Sequence, residues 1–141
     1  MTIEREGSVV VIRFPPTSAQ RLQINAEDTR VDDEENGRVP GRYGVSVLAM
    51  RPEPGETQPS TVDRMCKATT LGRRSKKIAV VNVTMLHALG FDIVSDPTDL
   101  EPHHHLIGVA PFQLLPSMEA LASLLEDHRI DNPTWKKGSA A

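Results

Sequence analysis

Lys77-Ile78-Ala79-Val80-Val81-Asn82-Val83 and Phe91-Asp92-Ile93-Val94 are two apolar, β-branched runs, and only Thr84-Met85-Leu86-His87-Ala88-Leu89-Gly90 separates them. The intervening stretch reads as one short helix. Asn82 or Thr84 serves as its cap, and Gly90 supplies a left-handed exit. Such a helix is too short to carry the chain across a sheet to a parallel neighbour, a crossover that takes about a dozen residues or more. The two strands are therefore not expected to form a doubly wound pair. The fold class that follows is α+β: a small mixed, mostly antiparallel sheet with two or three short helices.

Working outward, Ser8-Val9-Val10-Val11-Ile12-Arg13-Phe14 reads as an opening strand stopped by Pro15-Pro16,. Its apolar residues do not alternate with polar ones, which fits a strand covered on both faces or one that docks on another chain. Leu22 and Ile24 alternate with polar neighbours and predict a short half-exposed strand. Residues 26–42 are rich in acid and contain Asn36-Gly37, so a solvated loop is expected. An oxygen-ligand calcium loop would need acids at alternate positions and a terminal bidentate Glu, and these are missing.

Val45 to Met50 resumes strand character, and the proline-bounded segment 51–59 predicts a stiff connection. Ser60 or Thr61 is placed to cap a helix in which Val62, Met65 and Cys66 share one side, so Cys66 points inward as a small hydrophobe rather than outward as a nucleophile. The last strand is expected at residues 103–109. A final helix follows Pro116, with Ser117 as cap and Met118, Leu121, Ala122 and Leu125 as its stripe. Residues 130–135 read as a trailing end, in which Trp135 is an anchor for packing or for a partner.

A chain of 141 residues fits one domain, read as residues 1–135 with a flexible C-terminal tail at 136–141. The hydrophobic content of 38% is lean against roughly 45–50% in average globular chains, a figure that also counts Gly. Part of the chain is thus expected to be loop or to be buried only against a partner. The formal charge of −3 gives no global attraction to phosphate backbones. A nucleic-acid contact would rest on Arg73, Arg74, Lys76 and Lys77, which also suit the gatekeeper role beside an apolar strand. The lone Cys66 leaves no internal disulfide, which points to a reducing cytoplasm, and no apolar run is long enough for a membrane span,.

The chemistry-bearing cluster is His103-His104-His105. On an extended strand His103 and His105 share one face and His104 takes the other. Two imidazoles on one face suit a metal, with Asp96, Asp99, Glu101, His87 or His128 as a third ligand, or acid–base work with Asp99 or Glu101 orienting a ring. The bland alternative is one histidine packed at a strand end against an Asp of the preceding turn. No Gly-rich phosphate cradle and no serine-nucleophile elbow is present, and no particular cofactor follows from the sequence.

Residues 88–97 and 102–107, together with Asn36-Gly37-Arg38-Val39 and Val45-Ser46-Val47, resemble small uncharacterised bacterial proteins that share a turn, a Gly-x-Ser-x-like strand and a late Pro-x-His strand. The resemblance implies an accessory protein of a multi-gene, defence-like bacterial cassette and assigns no catalytic residue. The expectation is therefore a cytoplasmic interaction subunit that contacts another protein through Val9, Val11 and Trp135. The alternative is a metal- or histidine-dependent hydrolase or nuclease using His103, His105 and Asp99.

Overall fold

The computed structural model describes residues 9–70, 75–109 and 114–135. Among them are six strands: β1 (Val10–Arg13), β2 (Tyr43–Met50), β3 (Lys77–Asn82), β4 (Asp92–Ser95), β5 (His104–Val109) and β6 (Arg129–Asp131). Four helices accompany them: α1 (Ala19–Glu35), α2 (Gln58–Ala68), α3 (Val83–Ala88) and α4 (Leu114–Asp127). The strands form one sheet in the order β4-β5-β2-β1-β3-β6, with every neighbouring pair antiparallel. The α+β class is as expected. β3 and β4 lie far apart in the sheet, consistent with the short α3 between them.

The two-residue period of the strands sorts their side chains into two cores. Val11, Val45, Val47, Val81 and Ile107 face α1 and α4, where Leu22, Ala26, Met118, Leu121 and Leu125 meet them. Val10, Ile12, Leu48, Ile78 and Val80 face the opposite way and are closed over by Val62, Met65 and Cys66 of α2. β1 is apolar on both sides because both of its faces are covered. Its edges are occupied too, by β2 on one side and β3 on the other. This corrects the expectation that Val9 and Val11 offer a pairing edge: Val11 is fully buried, and Val9 packs against the core.

The largest departure is α1, where the sequence predicts a short strand and a loop. A helix wins because Leu22 and Ala26 share a buried side, and Ser18 caps the first turn by accepting from the Arg21 amide at 3.3 Å,. The acids that suggest a loop are placed along the outside, with Glu27 bound to Gln23 and Glu34 to Arg30 one turn away,. Gly37, with φ of 92°, gives the helix its left-handed exit, so the turn-forming Asn36-Gly37 ends α1 instead of lying within a loop,.

Smaller differences have similar local causes. Thr57 caps α2 and Asn82 caps α3. α4 begins at Leu114, because Pro116 lies in a first turn that has no partner for its missing N–H,. Residues 129–131 pair with β3 rather than trailing off, and half-buried Trp135 follows them. The tail expected at 136–141 lies outside the described residues. None of the described helices is long and apolar enough to cross a membrane.

Candidate functional site: a pocket where β1 leaves the sheet

β2 is eight residues long and β1 only four, so β1 covers just Leu48 to Met50 of its neighbour. The bond from the Ala49 amide to the His103 carbonyl fixes the alternation on β2: odd-numbered residues pair with β5, while Gly44 and Ser46 face the side that β1 has left,. Side chains replace the missing strand there. Asn25 Oδ1 accepts from the Ser46 amide at 2.8 Å, Arg13 Nη1 donates to the Ser46 carbonyl at 2.8 Å, and Thr29 Oγ1 donates to the Gly44 carbonyl at 2.7 Å. α1 thus completes the ladder that β1 abandons.

Arg13 is the centre of this arrangement. Nη1 also donates to Asn25 Oδ1 at 3.0 Å, and Nε and Nη2 both reach the Pro16 carbonyl, at 3.2 and 3.0 Å. The residue is only 8% exposed, yet every one of these acceptors is neutral, and no ion pair involves it among the described residues. Burial pushes the guanidinium down to about 10,.

Beside Arg13 the abandoned end of β1 opens into a cavity of about 450 Å³. Ile12, Phe14 and Leu48 supply apolar wall, Arg21 and Asp28 line it from α1, and Glu101 and His104 also line it. Glu101 is held by Thr69 Oγ1 at 2.9 Å and Thr70 Oγ1 at 2.7 Å. Partial burial pushes its carboxyl up, but those hydrogen bonds outweigh it and leave the group below its ordinary value.

His104 lies across from Leu48 on the face away from α1. Its Nδ1 sits 2.8 Å from the Asp96 carbonyl and 3.3 Å from Asp96 Oδ2. A carbonyl only accepts, so the neutral ring carries its proton on Nδ1 and keeps the Nε2 lone pair. Asp96 Oδ1 receives Arg42 Nη2 at 3.2 Å, and Arg42 grips Asp33 through Nε at 2.8 Å and Nη2 at 2.9 Å. These bonds hold the Asp33 carboxyl well down, at about 2. A chain of charge-assisted contacts thereby runs from α1 to the histidine.

The other predicted residues are dispersed. His105 lies opposite Val47, and its Nδ1 donates to the His103 carbonyl at 2.8 Å, so that ring folds back on its own strand. Asp99 is exposed in the turn before β5. Among the described residues no three His, Cys, Asp or Glu side chains converge as metal ligands. Cys66 is 2% exposed, and burial, with Asp63 nearby, pushes its thiol up to about 11, which suits a packed side chain and not a nucleophile,. Arg73 and Arg74 lie outside the described residues; Lys77 pairs with Asp131 at 2.6 Å.

Sequence reasoning placed a histidine against an aspartate of the preceding turn, and the structure identifies that ring as His104 beside Asp96. It missed Arg13, Asn25 and Ser46 altogether. The available signal was an arginine closing the run Val9 to Ile12, directly before two prolines. No family model matches the chain, and no match was found among curated proteins or solved structures.

Proposed function

We propose that this chain is a cytoplasmic accessory subunit of a larger bacterial assembly and that it docks by adding an extended strand of a partner protein to β4. The supporting observation is the outer edge of that strand. The Asp96 amide bonds the directly opposite His104 carbonyl, so Val94 and Asp92 are the residues that pair with β5,. The main-chain N–H and C=O of Ile93 and Ser95 are thereby directed outward. Val94 is 44% and Leu89 48% exposed, giving apolar surface near the same edge,. The opposite edge, β6, has three residues and is flanked by the Lys77–Asp131 and Arg129–Glu126 pairs, which protect it,.

The test is size-exclusion chromatography of the tagged chain, expressed at native level in its host. The wild type should elute in a complex that Ser95→Pro, which removes one outward N–H, and Val94→Lys both dissolve. A wild-type chain that elutes alone, or variants that stay in the complex, would refute the reading.

His104 favours a second reading, a histidine-dependent hydrolase in which Nε2 takes a proton at the pocket wall and Asp96 steadies the ring. Loss of phosphodiesterase or esterase turnover in His104→Gln, with His105→Gln unaffected, supports it. Equal turnover in both variants rejects it.

A further inference from the structure

We infer that the pocket beside Arg13 binds a small organic anion, with a carboxylate or phosphate group against Arg13 and Arg21 and an apolar body on Ile12, Phe14 and Leu48. The argument begins with an unbalanced charge. Taking a cation out of water is costly, and an opposite charge nearby is what offsets the cost, yet Arg13 is buried against neutral oxygens only. Its hydrogen bonds hold it in place, but they do not neutralise it.

The second cation is Arg21, one turn before Asn25 on α1. It lines the same cavity, is exposed, and makes no ion pair among the described residues. Two carboxylates also line the space, and their positions matter. Glu101, bound by Thr69 and Thr70 but still charged, is half-buried, and Asp28 is exposed. Of the charged side chains that line the cavity among the described residues only Arg13 is buried, so the charge at its buried end is positive. The cavity of about 450 Å³ falls within the roughly 300–1,000 Å³ range of small-ligand sites, which combine apolar walls with a few fixed polar groups.

Asn25 makes the idea testable without removing Arg13. Asn25→Asp keeps the Oδ1 acceptor and places a permanent counter-charge beside the guanidinium, so it should occupy electrostatically the place of the ligand. The experiment is an amide NMR titration of the full chain with inorganic phosphate, with benzoate and, as opposite-charge control, with benzylamine. Benzoate, phosphate or both should shift the Ser46 and Asn25 amides. Asn25→Asp should weaken that binding about tenfold or more, and Arg21→Ala several-fold, with native spectra retained.

Response to benzoate alone assigns a carboxylate ligand, and response to phosphate alone assigns a phosphate. Binding of benzylamine instead of either anion overturns the proposal, as does anion binding unchanged in both variants. Should Asn25→Asp lose its native spectrum, Arg21→Ala decides the matter. Absence of any shift with either anion up to about 50 mM, a Kd weaker than even millimolar affinity, also overturns it.

Discussion

Asn25→Leu should be one of the most damaging single changes in the half-buried shell of this protein, and Asn25→Asp one of the mildest. Asn25 Oδ1 accepts from the Ser46 amide at 2.8 Å and from Arg13 Nη1 at 3.0 Å. Leucine is similar in size but leaves both donors without that oxygen. An orphaned buried N–H costs about 1–3 kcal/mol, and a hydrogen bond to a charged group contributes about 1.5–3 kcal/mol. The additional apolar burial of a half-exposed leucine returns about 1 kcal/mol. The net loss is then about 1.5–5 kcal/mol, a large share of the roughly 5–15 kcal/mol that holds a domain folded.

Urea unfolding followed by circular dichroism reads this directly. With a slope of about 2 kcal/mol/M, the midpoint for the leucine variant should fall by about 0.8–2.5 M. Aspartate retains the acceptor and charges it, so its variant should stay within about 1 kcal/mol of wild type at neutral pH. A leucine variant within about 0.5 kcal/mol of wild type, less than a single typical hydrogen bond, would falsify the claim that these side chains stand in for a strand.

Gly41 gives a steric counterpart: a Cβ there would collide with the main-chain carbonyl of Arg30. Gly41→Ala should cost about 1–3 kcal/mol by overpacking, seen as a lowered thermal midpoint; an unchanged midpoint would show that the loop after α1 can retreat. The Asp33–Arg42 pair predicts acid sensitivity. The Asp33 carboxyl is depressed from 3.8 to about 2, so its contribution is complete above the ordinary value and is lost as pH falls towards 2,. Denaturation curves at pH 5, 3.5 and 2 should therefore converge for wild type and Arg42→Gln as the pH drops; a constant gap would contradict the linkage. Cys66 should resist a thiol–disulfide reagent in the native protein at pH 8 and react only as fast as the domain opens; rapid native labelling would show that α2 does not cover it as described.

The elements that were legible in the sequence are those whose side chains carry a one-dimensional pattern. Ile78 to Val81 and Val9 to Ile12 read as strands because they are β-branched runs covered on both faces. α3 was readable from Asn82 and Gly90, whose roles are set within a few residues of themselves. α1 was not, since only Leu22 and Ala26 mark its buried side and its acids resemble a hydrated loop. The third short strand, β6, was hidden for a related reason: Arg129-Ile130-Asp131 has one apolar residue, and only the pairing of Ile130 with Ile78 makes it a strand.

What the sequence by itself determined was the α+β class and the presence of a histidine beside an aspartate, because periodicity, caps and nearest neighbours are properties of adjacent residues. Tertiary structure alone decided that β1 is central instead of an edge, that β4 is the open margin, and that Arg13, Asn25 and Ser46 meet. Those three are separated by 12 and 21 positions along the chain. Their contact depends on how far β1 runs beside β2, a length difference that no local pattern records. The pocket exists because one strand stops short and a helix completes the hydrogen bonding in its place.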